Sequence, residues 1–114
     1  MSHRDVRLLL EDISDAIAKI ERYTRDLDHD SFLASEITID AIVRNLEIMG
    51  EAASRLPSEF TTAHADVEWA QIVGLRHRIV HEYFGIDVEL IWQILQDDIP
   101  RLKGRLEKLR IELK

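Results

Sequence analysis

Apolar residues recur at three- and four-residue intervals along almost the whole chain, the spacing of one face of an α-helix. The first such pattern runs from about residue 2 to residue 25 and carries Val6, Leu9, Leu10, Ile13, Ile17 and Ile20 on one side. Ser2 stands where it can cap this helix, with Asp5 three residues on as an acidic variant of the capping box. The acidic run 26–30 reads as a turn. A second pattern covers roughly residues 31–56, with an irregular start near Ser35, and its face is Ile39, Ile42, Leu46, Met49, Ala53 and Leu56. Pro57 ends it, because proline cannot donate the next helical hydrogen bond. Gly50 interrupts this run at a cost of about 1 kcal/mol against alanine, which indicates the close approach of a neighbouring helix. Residues 58–67 form a connector with one helical turn around Glu59 and Phe60. A third helix is predicted from Asp66 or Val67 to Tyr83, closed by Gly85. Asp87 then caps a fourth, lined by Val88, Ile91, Leu95, Leu102, Leu106, Leu109 and Leu113 and kinked at Pro100. No stretch alternates as a half-buried strand does. The pattern predicts an all-α, antiparallel four-helix-type bundle, with residues 1–114 forming one domain.

The third helix holds an anomaly. At about 100° per residue, Trp69, Ile72, Val73, Leu75, Ile79, Val80, Tyr83 and Phe84 fall on one arc, and Arg76 lies near its centre. A guanidinium cannot shed its charge to escape burial, and desolvating it unpaired is costly. Something anionic is therefore expected beside it: a bound phosphate, or a carboxylate of the bundle such as Glu47 or Glu51. On the same ideal helix Tyr83 projects about 20° from Arg76, and His81 about 140° away. Arg76 and His81 of one helix would converge poorly on a single atom. They can line a cleft completed by another helix or by a second copy of the chain, which favours a homodimer with its cleft at the interface.

Composition narrows the setting. The chain has 114 residues, 46% hydrophobic and 32% charged, with two prolines, four glycines and no cysteine. Disulfides, thiolate metal sites and cysteine nucleophiles are excluded. A net charge of −7 argues against broad electrostatic capture of nucleic acid. It leaves room for a local positive site, and Arg76, His77, Arg78 and His81 make one. A second basic stretch, Arg101, Lys103, Arg105, Lys108 and Arg110, alternates with Leu102, Leu106 and Leu109. This is the look of a solvated helix face, and it can also extend an RNA path or dock a protein. No apolar run can span a bilayer, and the N-terminus lacks a secretory core, so the expected location is cytoplasmic.

An arginine, an imidazole and a phenol suit phosphodiester cleavage in RNA. The ribose supplies its own 2′-hydroxyl nucleophile, a histidine moves the protons, and an arginine fork neutralises charge building on the phosphate. No metal or cofactor is called for. Other readings of the same residues stand beside this one. Arg76 can be a bundle ion pair next to a solvated histidine. His77 and His81, at i and i+4, can begin a zinc site with His64 as a third ligand. Glu51 can orient Arg76 or His81 across the helix interface, or Glu47 and Glu51 can act as paired carboxylates. Trp69 and Trp92 can stack on bases or fill the core.

Arg76-x4-His81-x-Tyr83 resembles the R-x4-H-x-Y signature of the HepT-like toxins, within the HEPN superfamily of small helical ribonucleases. Arg44-Asn45-Leu46-Glu47-Ile48-Met49-Gly50-Glu51-Ala52 resembles that family's second-helix segment. Trp69-x-x-Ile72-x-Gly74-x-Arg76 and Tyr83-Phe84-Gly85-Ile86-Asp87 resemble the flanks of its motif. One departure is His77, where such motifs commonly carry asparagine; His81 alone has the signature spacing. The resemblance implies a dimeric, metal-independent endoribonuclease toxin with Arg76 and His81 as catalytic residues, and with His77, Arg78 and Glu51 as possible supporting groups. It also implies an MntA-like nucleotidyltransferase antitoxin that transfers AMP from ATP to Tyr83. The contrasting expectation, of a different class, is a non-catalytic helical module that holds a nucleotide or the nucleotidyltransferase without cutting RNA.

Overall fold

The computed structural model describes residues 5–81 and 85–113, with the side chain of His81 outside that set. Helix α1 is Val6–Thr24, and its N-cap is Asp5, whose carboxylate accepts from the Arg7 amide at 2.8 Å. The expected cap, Ser2, lies outside the described residues. Asp5 takes the role because it directly precedes the first helical residue, where a short acceptor can reach the orphan amides of the first turn. The short helix α2, His29–Leu33, opens on a reciprocal capping box between Asp28 and Ser31. Helix α3, Glu36–Ser54, follows after Ser35, and the irregular start expected there is the joint between the two. Helix α4, Ser58–Ala63, follows Pro57 and contains Glu59 and Phe60.

The third helical pattern is where structure and expectation part. It is divided into α5, Trp69–Val73, and α6, Leu75–Ile79, joined at Gly74. The helix ends at Ile79 rather than Tyr83. Val80 is extended (φ −105°, ψ 119°), and Val80–His81 form β1, paired antiparallel with β2, Gly85–Ile86. Gly85 takes φ 75°, a left-handed conformation that only glycine adopts without strain. The Asp87 amide donates to the Ile79 carbonyl at 2.7 Å and closes the reversal. A β-branched Ile-Val pair fits helix or strand; these tertiary hydrogen bonds decide for the strand. The architecture among the described residues is thus helical apart from this four-residue ladder.

Asp87 caps α7, Val88–Gln93, accepting from the Leu90 amide at 3.0 Å. The fourth pattern then widens into a π-helical turn, Ile94–Asp98, before α8, Ile99–Glu112. The backbone irregularity in this pattern is that π-helical turn, directly before Ile99 and Pro100. Pro100 has no amide hydrogen to offer the preceding turn, and the helical backbone, continuous from α7 into α8, takes the wider π form directly before it, with the Ile99 amide on the Ile94 carbonyl.

Helix α1 lies along α3 and against α8, and α5 and α6 pack on α3. Lys103 meets Glu21 at 3.1 Å and Arg110 meets Ser14 at 3.0 Å, so α8 runs antiparallel to α1. Leu9, Leu10, Ile13, Ile17 and Ile20 of α1 are buried with Ile42, Leu46 and Met49 of α3, as the periodicity indicated. The close approach signalled by Gly50 is real: a Cβ there would stand 3.2 Å from the Ile72 carbonyl oxygen. Asn45 is the buried polar side chain among the described residues; its amide donates to the Ala41 carbonyl at 2.8 Å. Both tryptophans serve packing. Trp69 is buried with its indole N–H on the His64 carbonyl at 3.0 Å, and the Trp92 ring lies 5.3 Å from that of Phe32.

The docking of α2 on α7 includes an exposed ion pair. His29 Nε2 stands 2.9 Å from a Glu89 oxygen, and this carboxylate raises the His29 pKa above its ordinary 6.5. A raised histidine pKa means that the pair stabilises the fold fully below the unfolded value and loses its effect as pH climbs through the folded one. The melting temperature of wild type should therefore exceed that of Glu89→Gln at mildly acidic pH, with the gap closing as pH rises through the raised His29 pKa. A gap that widens with pH would contradict this assignment.

Candidate active site

The motif is carried by α6 and the ladder beyond it. Arg76, His77 and Arg78 follow one another on a five-residue helix, so their side chains fan out about 100° apart. Arg76 points toward α3, where, among the described residues, it meets Glu47 Oε2 at 3.9 Å. Arg78 points the other way, to Asp98 Oδ2 of the π-helical turn at 3.3 Å. His77 lies between them and is exposed.

Arg76 is not the buried charge that the helical arc suggests. Its side chain is 64% exposed. Val73, assigned to the same apolar arc, is also exposed at 45%. The arc fails because α5 and α6 are separate short helices and the chain leaves helical geometry at Val80. The angular offsets of His81 and Tyr83 calculated for one continuous helix do not apply. Arg76 does not require an anion to offset burial; it is an accessible cation with a distant, partly exposed counter-ion. At 3.9 Å the Glu47 contact is well beyond the 2.7–2.9 Å of a strong charge-assisted hydrogen bond.

Glu51 does not orient Arg76. It binds Arg55, four residues on in the same helix, with oxygen-to-nitrogen distances of 2.9 and 3.1 Å. It still lines the shallow groove that Arg76 enters, together with Glu47, Gly50, Ser54 and Val73. Gly50 matters to this groove, since its lack of a side chain lets the end of α5 settle on α3 and sets Arg76 beside Glu47. The backbone of His81 is held in the ladder opposite Gly85, immediately after α6. Its side chain and Tyr83 lie outside the described residues. Among the described residues no three His, Asp or Glu side chains gather as a metal site would require, and His64 is instead turned onto the Phe60 ring at 4.5 Å.

Asp98 and Glu68 were not singled out by sequence reasoning. Asp98 accepts Arg78 and also Arg101, at 3.5 Å, while Glu68 stands 3.5 Å from Arg105. The available signal was the proline at position 100, which foretold an irregular backbone near Asp98 but not its partners.

The chain matches the family described as "Ribonuclease HepT-like" over residues 13–109, a span that includes α3, the whole motif and most of α8. It belongs to the HepT-like ribonuclease family. A Thermococcus cleftensis protein named "Probable ribonuclease HepT" is 42% identical over 109 residues, covering 96% of each chain. "Putative RNase MJ1380" of Methanocaldococcus jannaschii is 37% identical over 94% of this chain and 98% of its own length. "Putative RNase TTE0752" of Caldanaerobacter subterraneus subsp. tengcongensis is 37% identical over 79% of this chain and 80% of its own. No solved structure matches. Membership of the HepT-like family agrees with the helical fold, and no helix among the described residues is long and apolar enough to cross a membrane.

Proposed function

We propose that this protein is a metal-independent endoribonuclease, the toxin of a toxin–antitoxin pair, working in the cytoplasm as a homodimer of one-domain chains. The observation that carries the reading is Arg76: a permanent cation, 64% exposed and only loosely matched by Glu47, on the helix that leads directly to His81. An arginine in a closed internal ion pair would not be free for a substrate; among the described residues Arg76 has only the 3.9 Å contact with Glu47.

In the proposed reaction the ribose 2′-oxygen attacks the adjacent phosphorus and the bond to the 5′-oxygen breaks. His81 takes the 2′-hydroxyl proton, and the departing oxygen is protonated in turn. Products are a 2′,3′-cyclic phosphate and a 5′-hydroxyl, with no water consumed. The Arg76 fork binds the non-bridging oxygens, on which charge grows in the transition state. The nucleophile belongs to the substrate, so no metal-bound hydroxide is needed. His77 follows Arg76 on the same short helix and is exposed beside it, while Arg78 turns to Asp98. The second subunit supports convergence, because Arg76 leaves α6 toward α3 whereas His81 lies beyond the helix end; two copies facing each other can offer both groups to one phosphate. The test is purified protein, RNA and excess EDTA. Cleavage with cyclic-phosphate ends is expected, and an RNA left intact, or cut only when divalent metal is restored, refutes the mechanism.

The regulatory part of the proposal is an MntA-like nucleotidyltransferase partner. Tyr83 oxygen would attack the α-phosphorus of ATP, forming a phosphodiester and releasing pyrophosphate. Each AMP places a negative phosphate and a bulky base beside the Arg76 cleft, where both repel RNA. Incubation with the partner and ATP should add AMP-sized mass to the wild-type chain and none to Tyr83→Phe. Mass that persists in the phenylalanine variant would exclude Tyr83 as the acceptor.

A further inference from the structure

The basic stretch of α8 is divided by the fold. Lys103 and Arg110 turn to α1, where they meet Glu21 and Ser14. Arg101 and Arg105 turn the other way and join Arg78 of the motif helix along a narrow groove of about 40 Å³ between α5–α6 and α8. The floor of this groove is apolar and includes Ile72, Leu75, Ile99 and Leu102. Its polar rim holds three guanidinium groups against two carboxylates, Asp98 and Glu68. Asp98 faces both Arg78 and Arg101, so among the described lining residues one positive charge is in excess. The pairings are long, at 3.3, 3.5 and 3.5 Å, and each arginine keeps more than a third of its side chain in solvent. Contacts of this kind are worth little and are readily exchanged for a better anion.

The geometry points to this groove as a second RNA-binding site, in which Arg78, Arg101 and Arg105 hold backbone phosphates of single-stranded RNA flanking the scissile bond. The inference rests on the proposed RNA substrate. Single-stranded RNA offers what the rim matches, a line of negative charges that three guanidinium groups can follow. Helix α6 links the two sites: Arg76 leaves it on the α3 side and Arg78, two residues on, stands on the rim of this groove. Asp98 and Glu68 act as resident counter-ions that phosphates displace. The π-helical turn has a role here: its fifth residue is Asp98, and wide turns of this type are rare and concentrated at functional sites.

A purely structural ion-pair network and an RNA site predict opposite results for Asp98→Asn. The experiment measures fluorescence anisotropy of a short single-stranded 2′-O-methyl RNA, which cannot be cleaved, with the full chain over a range of salt. Removing the counter-ion should tighten binding, a gain that a misfolded variant cannot produce. Arg101→Gln/Arg105→Gln should weaken it about tenfold at low salt and lower the slope of log affinity against log salt by about 1.4, two phosphate contacts' worth for single strands. Unchanged affinity and slope in both variants overturn the proposal, as does absence of RNA binding by the wild type. Loss of a protein partner with RNA affinity unchanged also overturns it, and assigns the groove to that partner. Because the readout is binding to an uncleavable strand, the catalytic reading can fail while this one stands, or the reverse.

Discussion

Arg76→Ala is expected to lower kcat/KM for RNA cleavage by about 100- to 1,000-fold, the usual cost of removing one preorganised donor from a developing phosphate charge. The same variant should melt within about 1 kcal/mol of wild type, since an exposed arginine 3.9 Å from Glu47 contributes little to stability. The pairing of a large kinetic loss with a small thermal one is the informative result. A structural ion pair would give the converse, a measurable drop in melting temperature and no change in chemistry. Arg76→Lys should recover only part of the activity, because an ammonium keeps the charge but not the two-pronged hydrogen-bonding geometry. His81→Ala should lose about 100- to 10,000-fold, the range supplied by a positioned proton-transfer group. Should both alanine variants cleave RNA at the wild-type rate, the enzymatic assignment of the motif is wrong, and the protein is better described as a helical binding module.

The largest effect on stability is expected at Phe32. It is completely buried, and its ring meets Trp92 at 5.3 Å, so one side chain fastens α2 to α7. Phe32→Ala should cost about 3–5 kcal/mol, from lost transfer free energy together with the cavity left behind. Small domains hold only about 5–15 kcal/mol in all, and the corresponding fall in melting temperature is on the order of 10–20 °C. Thermal unfolding followed by circular dichroism measures it. A loss below about 1 kcal/mol would show that α2 is dispensable to the core and that its neighbours collapse into the gap. Such a variant should keep cleavage activity at temperatures where it is folded, because Phe32 is remote in sequence from α6 and belongs to a different pair of elements.

Most of the helical architecture was legible in the order of residues alone. The i, i+3, i+4 spacing in α1 and α3 named their buried faces, because a regular helix converts spacing into direction without help from the rest of the molecule. Gly50 announced a close contact, Pro57 a helix end and Asp87 a cap, each through a local steric or hydrogen-bonding rule. The candidate site was legible as a set of residue types, Arg76, His77, Arg78, His81 and Tyr83, with the HepT-like resemblance naming its chemistry.

What the chain could not announce was decided by contacts between distant segments. Whether Ile79 and Val80 continue a helix or begin a strand depends on the hydrogen bonds that Gly85, Ile86 and Asp87 return to them. The break at Gly74 and the packing of α6 on α3 put Arg76 off the supposed apolar arc, at an accessible position facing Glu47. The sorting of α8 is of the same kind. Its cations looked like one solvated face, yet Lys103 and Arg110 go to α1 whereas Arg101 and Arg105 go to the motif side. Local periodicity specifies which residues share a face, since that needs only the geometry of one helix. Which face meets which neighbour, and which charges are thereby left to a substrate, depends on packing among helices far apart in the chain.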